Sequence, residues 1–370
     1  VPVRICPNIL QLRPYVPGKP ISEVQRELGL EDVIKLASNE NPFGPSPKAT
    51  VAMAGHLKDL HLYPDASCFE LRKKLSEKFQ VPPEQILLSN GSDEILQLLS
   101  YLLIDDPEAE ILTCMPSFGL YRAVAAQTRC CSVCLPLDQE GRFDLNELSK
   151  KISSRTKLVY IANPNNPTGT IVTNSELRDF IDRLPEGAVL ALDEAYFEFA
   201  ADDPDYPDGR ELVMEGLPVV ATRTFSKAYG LAGIRVGYGF APPEIRDAFD
   251  RLRLPFHVNS LAQVGAIAAL DDEEHLQKTI NENRRNRDRL AKALVSIGAK
   301  VTPSHANFVW AEFDQHSSEL FDKLLRDGVI VRPGYLMGSD NHVRISVGTA
   351  EETDRFVQSI QVLAKAPLNS

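Results

Sequence analysis

The sequence predicts a layered α/β domain joined to a smaller α+β unit. Two observations carry this. From about Gln85 onward, short apolar runs alternate with helical periods, the pattern of a sheet covered by helices. After Ser260 the pattern changes to a long amphipathic helix followed by short strands and helices. A chain of 370 residues is long enough for both units to have a core of their own.

Taken in order, the first 45 residues are rich in proline and glycine, with one helical stretch at Ile21–Leu28. They read as an arm plus an element that packs onto something distant. Apolar runs at 86–88, 111–114, 158–162, 189–192, 219–222 and 234–240 suit buried parallel strands. Helical periods at 93–103 and 174–184 lie between them, with Asn174 and Ser175 offering N-caps to the second. Beyond Ser260, a helix at 273–297 places Leu276, Ile280, Arg287, Leu290 and Leu294 near one face. A strand at 307–313, a helix at 319–325, strands at 329–332 and 342–347 and a helix at 353–363 follow. The expected division is an arm and part of the small domain at 1–45, a large domain at 46–262 and a C-terminal small domain at 263–370.

Composition is that of a soluble globular protein, 43% hydrophobic and 25% charged. A net charge of −11 opposes nucleic-acid and anionic membrane partners. No run approaches the ~20 apolar residues of a membrane span, and residues 1–8 lack a charged-then-apolar leader. The expected location is the cytoplasm. Cys130, Cys131 and Cys134 stand close enough to suggest a metal cluster, but they lie in the apolar, strand-like run TRCCSVCLPL with no matching CxxC or His pair. They read as packed or surface thiols, and no metal is expected.

Four stretches carry chemistry. The first runs from Thr224 to Gly237, TFSKAYGLAGIRVG, after an apolar strand. Lysine is a surface residue by default. Lys227, however, has hydroxyls at Thr224 and Ser226, Arg235 eight residues on, and glycines that permit close backbone approach. Hydroxyls and a guanidinium suit a phosphate dianion, and a lysine beside them suits an imine-forming amine. The second is Asp193-Glu194-Ala195-Tyr196, directly after an apolar strand. A carboxylate at a strand's C-terminal end points into the crevice where α/β proteins bind ligands. It is also what pyridoxal phosphate needs against its ring nitrogen. The third is Asn163 to Gly169, NPNNPTG, a turn whose Asn166 can donate to that ring's phenolic oxygen, as can Tyr196. The fourth is Ser89 to Glu94, SNGSDE, a glycine- and serine-bearing helix start suited to an anion.

Together NPNNPTG, DEAYFEF and TRTFSKAYGLAGIRVGY resemble the fold-type I aminotransferases. The likeness extends to LRPYVPGK, LASNENPFGPSP, LYPD, SHANFV, VIVRPG and VRISVGT, nearly the whole chain. Within that family it is similar to the branch acting on histidinol phosphate. The resemblance implies the pyridoxal-phosphate transferase fold, a mostly parallel seven-stranded sheet flanked by helices plus a smaller α+β domain. It implies pyridoxal 5′-phosphate on Lys227, Asp193 at the ring nitrogen, and Asn166 and Tyr196 at the phenolic oxygen. The phosphate cradle falls on Gly91, Ser92, Asp93, Thr224, Ser226 and Arg235. Phe118 takes the ring-stacking place, where many members carry tyrosine.

The resemblance further implies a homodimer with shared sites, in which Tyr63 of LYPD reaches the neighbouring subunit's phosphate group. Arg344 matches the arginine that holds substrate carboxylate, and Arg332 a second arginine for the phosphate of histidinol phosphate. Tyr15, Asn39 and Phe256 match the substrate pocket. The implied reaction moves the amino group of L-histidinol phosphate to 2-oxoglutarate. Three rivals share the motifs: an aromatic amino-acid aminotransferase, a phosphothreonine-type decarboxylase on the same fold, and a cofactor-sensing regulator. The last is disfavoured by the acidic charge and the lack of a basic segment before Leu12.

Overall fold

The computed structural model describes residues 3–12, 14 and 16–365. In chain order its strands are β1 (Ile34–Lys35), β2 (Ile86–Ser89), β3 (Glu110–Met115), β4 (Cys131–Pro136), β5 (Thr156–Ala162), β6 (Val189–Asp193) and β7 (Val219–Thr224). They continue with β8 (Gly237–Phe240), β9 (Lys300–Thr302), β10 (Phe308–Glu312), β11 (Val329–Ile330), β12 (Arg332–Pro333) and β13 (His342–Ser346). The large sheet has seven strands in the order β2-β8-β7-β6-β5-β3-β4. All its neighbours pair in parallel except β8, which is antiparallel to both β2 and β7. Leu158 to Ile161 and Leu190 to Leu192 are fully buried, because helices cover both faces and leave no solvent side for alternation. Edge strand β4 is mostly exposed, and Cys131 and Cys134 lie on it as free, exposed thiols. Among the described residues no group of three or more His, Cys, Asp or Glu side chains is placed to hold a metal.

Three local expectations are corrected. The run at 234–240 is not one strand. Residues Ala232–Ile234 form a 3-10 turn, Arg235 takes a left-handed φ of 56°, and the strand begins only at Gly237. A Cβ on Gly237 would stand 2.4 Å from the Ser92 nitrogen, so the strand starts where the chain must pass the start of the helix Ser92–Leu103. The helix expected at 174–184 is Asn174–Ile181, and its cap is neither Asn174 nor Ser175. Thr173 caps it in a capping box with Glu176, which satisfies both exposed N–H groups reciprocally. The run at 329–332 divides between two sheets. Val329–Ile330 pairs in parallel with Ile34–Lys35, while Arg332–Pro333 pairs antiparallel with β13. Pro333 has no N–H for a second neighbour, so β12 ends the four-stranded sheet β12-β13-β10-β9.

The apolar side chains gather into a large core around the seven-stranded sheet and a second around the four-stranded one. Leu36 belongs to the second core, and Val24 and Ala37 pack with Ile330. The N-terminal segment thus adds to the C-terminal unit. The helix Glu273–Ser296 spans both cores, with Leu276 in the first and Leu290 and Leu294 in the second. No described helix is long and apolar enough to cross a membrane.

Candidate active site

The C-terminal ends of β5, β6 and β7 open into a cleft of about 2500 Å³. Asp193 ends β6, level with Ala162 on β5 and Thr222 on β7. Its carboxylate accepts the Tyr121 hydroxyl at 2.7 Å, the Thr222 hydroxyl at 3.2 Å and the Ala195 N–H at 3.2 Å. Burial raises the carboxyl to about 6 despite these donors. A cationic ring nitrogen facing it would supply the missing partner.

Strand alternation sorts the neighbours of Asp193 to two faces. Thr222 and Thr224 lie on its side, whereas Glu194 and Arg223 form a buried ion pair on the other. Arg223 reaches Glu194 at 2.9 Å and Asp208 at 2.5 Å, and its guanidinium lies 3.2 Å from the centre of the Phe197 ring.

Lys227 follows β7 in the loop and lines the cleft, half-buried. Its ammonium donates to the Ser38 carbonyl at 3.2 Å and lies 5.9 Å from the Tyr196 ring centre. Burial, with Arg344 nearby, lowers it to about 8. An amine tuned so is still mostly protonated at pH 7, but its neutral, nucleophilic and basic form is far more abundant than that of an ordinary lysine.

A cradle lies beside it. The helix Ser92–Leu103 begins at Gly91 without a side-chain cap, so its first N–H groups are open to an anion. Gly91 has a φ of 84°, and a Cβ there would meet the Arg235 guanidinium at 2.4 Å. Arg235 donates to the Ser226 hydroxyl at 3.3 Å and stands 3.8 Å from Asp93. The Thr224 hydroxyl accepts the Ser226 N–H at 3.1 Å. The missing Cβ makes room for Arg235; the helix start, hydroxyls and guanidinium fit a phosphate group, and Lys227 and Asp193 fit the aldehyde and ring nitrogen of pyridoxal phosphate.

The opposite wall comes from the four-stranded sheet. Arg332 and Arg344 are cross-strand partners on β12 and β13 and both are buried. Arg344 donates to Asn166 Oδ1 and to the Ala37 carbonyl, each at 2.6 Å. Arg332 donates to the Val16 carbonyl at 2.6 Å. With Asn166 Oδ1 engaged by Arg344, the amide's own donors turn elsewhere. Asn39 Nδ2 donates to the Tyr196 hydroxyl at 2.9 Å. Phe118 lines the cleft and packs edge-on against Tyr121, with centroids 5.8 Å apart.

Tyr63 and Phe256 are not in this cluster. They stack on each other at 4.6 Å on the surface, where Tyr63 is 83% exposed. Tyr15 lies outside the described residues. Tyr121 and Thr222 are the donors to Asp193 that motif reading passed over. The signal for Tyr121 is its place in PSFGLY, three residues after Phe118, and that for Thr222 is the two-residue spacing from Thr224. Nothing in the sequence pairs either with Asp193.

The chain matches the family model for aminotransferase class I and II over residues 31–360. It is 44% identical to histidinol-phosphate aminotransferase 2 of Carboxydothermus hydrogenoformans, over 95% of this chain and 97% of that one. It is 45% identical to histidinol-phosphate aminotransferase of an Anaeromyxobacter species, over 96% and 98%. The crystal structure of histidinol-phosphate aminotransferase from Sinorhizobium meliloti, in complex with pyridoxal-5′-phosphate, superposes with a TM-score of 0.88 at 29% identity. That match covers 98% of this chain and 99% of that one.

Proposed function

The chain belongs to the class I and II aminotransferases and is a pyridoxal-phosphate transaminase, and from that premise we propose that L-histidinol phosphate is its amino donor and 2-oxoglutarate its acceptor. The products are imidazole acetol phosphate and glutamate, a step of histidine biosynthesis. Relatives above 40% identity over nearly their whole length carry the name of this activity. The observation in the molecule that carries the reading is the buried cross-strand pair Arg332 and Arg344. A site serving this reaction must hold a phosphate monoester without an α-carboxylate in one half and a dicarboxylate in the other. Two adjacent guanidiniums offer bidentate donors to either.

When bound, pyridoxal phosphate supplies an aldehyde for the amines and an electron-accepting ring. Lys227 would hold it, and its amine would act as general base toward the donor's α-carbon proton. Asp193 would keep the ring nitrogen protonated, and Asn166 and Tyr196 would donate to its phenolic oxygen. Gly91, Ser92, Asp93, Thr224, Ser226 and Arg235 would surround its phosphate, and Phe118 would pack on the ring face.

The exposed Tyr63–Phe256 stack, with Leu60, Leu62 and Leu254 also exposed, supports a homodimer in which Tyr63 reaches the neighbouring site. Asn39, Phe256 and Tyr15 are assigned to the substrate pocket on the motif match. The two cores support a large and a small unit, the small one completed by the N-terminal segment, but Ala266, Leu270 and Leu276 pack in the first core, beyond the expected boundary at 262. A cytoplasmic location and the absence of nucleic-acid or membrane partners accord with the net charge of −11.

Borohydride reduction followed by peptide mass spectrometry tests the lysine; the pyridoxyl adduct is expected on Lys227, and an adduct elsewhere overturns the assignment. Steady-state comparison of histidinol phosphate with phenylalanine and tyrosine tests the donor. A higher kcat/KM for an aromatic donor, or carbon dioxide release from a phosphoamino acid, overturns it.

A further inference from the structure

A chain of hydrogen bonds runs from the small sheet to Tyr196, and its direction is set at one end. Ser346 is the last residue of β13, two beyond Arg344, and is 3% exposed. Its hydroxyl accepts the backbone N–H of Asn39 at 2.8 Å. A backbone N–H is always a donor, so the polarity of this first bond is fixed. The same hydroxyl lies 2.8 Å from Asn39 Oδ1 and donates its proton there. That commits the amide oxygen and turns Nδ2 toward Tyr196, whose hydroxyl oxygen accepts it at 2.9 Å. All three side chains are buried, so no water competes for these positions.

The backbone around the amide is pinned as well. Asn39 has a left-handed φ of 54°, a conformation asparagine tolerates better than most residues. Asn307 Nδ2 donates to its carbonyl at 3.0 Å, and the preceding carbonyl, that of Ser38, accepts from Lys227. Burial lifts the Tyr196 phenol to about 12, so it keeps its proton at neutral pH. With its oxygen already accepting from Asn39, that proton has to be given onward, and Tyr196 lines the cleft.

We propose that Ser346 is a positioning residue for transamination: through the Asn39 amide it orients Tyr196 so that the phenol donates into the cofactor site. The inference rests on the assignment of Tyr196 to the phenolic oxygen made above. Without the Ser346 hydroxyl the amide is free to rotate, and its oxygen then accepts the Tyr196 proton that the cofactor would receive.

The test uses the pyridoxal-phosphate-loaded enzyme and reads the pH titration of its lysine-linked visible absorbance, with turnover alongside. Ser346→Ala is expected to raise the apparent pKa of that absorbance by about one unit, the scale of one lost hydrogen bond to a charged group, and to lower kcat roughly tenfold. Ser346→Thr, which keeps a hydroxyl, is expected to restore most of both. In a Tyr196→Phe background the Ser346→Ala change should move the pKa no further, since its route is gone.

An equal shift with and without Tyr196, or an unshifted titration in Ser346→Ala, overturns the proposal. If Ser346→Ala does not fold, Ser346→Cys, which keeps the volume but is only a weak donor, decides the same point: it is expected to raise the pKa, that shift has to vanish in Tyr196→Phe, and an unshifted titration overturns the proposal. If instead Tyr196→Phe alone leaves the titration unmoved, the Tyr196 assignment fails, a result distinct from failure at Ser346.

Discussion

Arg332 and Arg344 stand directly opposite each other on β12 and β13, each only 7% exposed. Like charges at such a position repel one another, and the repulsion is relieved when an anion lies across both. Arg344 also holds Asn166 at 2.6 Å, whereas Arg332 reaches back to the Val16 carbonyl. The two are therefore expected to differ in the reaction. Arg332→Gln should raise KM for histidinol phosphate by roughly ten- to a hundredfold, a loss of about 1.5–3 kcal/mol, with a smaller effect on glutamate. Arg344→Gln should impair both. Single-turnover measurement of each half-reaction checks this, and an equal loss for both substrates in Arg332→Gln counts against a phosphate-directed role.

Lys227 has an ammonium lowered from 10.5 to about 8 by burial and by Arg344. Only the neutral amine attacks an aldehyde. Capture of pyridoxal phosphate by the apoprotein should therefore slow about tenfold per pH unit below 8 and level off above it. Stopped-flow absorbance across pH 6 to 10 reads this directly. The same shift has a stability sign. The folded-state value lies below the unfolded one, so between about 8 and 10.5 the unfolded chain binds more protons and Lys227's contribution to stability rises with pH. Urea melts of apo wild type and Lys227→Met should converge as pH rises through that window.

Tyr121 donates to Asp193 at 2.7 Å, and its ring stacks on Tyr160 with centroids 4.9 Å apart. Tyr121→Phe keeps the ring and removes the donor. Asp193, already raised to about 6, should then be harder to ionise, and cofactor affinity should fall roughly tenfold. The acid limb of kcat/KM should move to higher pH. Quenching of Trp310, the one tryptophan in the chain, offers an affinity readout; an unchanged dissociation constant would show that the Tyr121 bond is dispensable.

Tyr63 stacks on Phe256 away from the cleft of its own chain. If it serves the neighbouring subunit, mixing Tyr63→Phe with Lys227→Ala chains regenerates one intact site per hybrid dimer. Activity of isolated hybrids is expected near half that of wild type. Activity no higher than that of the Tyr63→Phe dimer's single site removes Tyr63 from the partner's site.

Arg223 joins β7 to Glu194 and Asp208 behind the catalytic face. Arg223→Ala strands two carboxylates and should cost about 3–5 kcal/mol in denaturant unfolding, while Arg223→Met, with Glu194→Gln beside it, should recover much of that. A loss below ~1 kcal/mol in Arg223→Ala would show that the pair adds little to stability.

The sequence alone determined the strand-helix alternation and the residues at strand ends, because local periodicity and turn chemistry are written in neighbouring positions. Asp193, Asn166 and Lys227 each follow an apolar run, and parallel strands deliver such residues to one edge whatever the finer packing. Where the chain bends against other segments, the sequence misled. The start of β8 is set by Ser92 and the division of 329–332 by two different partner strands, and both Ser92 and β1 are far from these positions in sequence.

Tertiary structure alone decided which donors face Asp193, that Arg332 and Arg344 are exact cross-strand partners, and that Ser346 directs Asn39 toward Tyr196. The Tyr121–Asp193 and Ser346–Asn39 contacts join residues 72 and 307 positions apart. No propensity encodes such distances. Packing around the large sheet brings Tyr121 to Asp193, packing around the small sheet brings the end of β13 against the segment after β1, and the Asn39–Tyr196 bond joins the two.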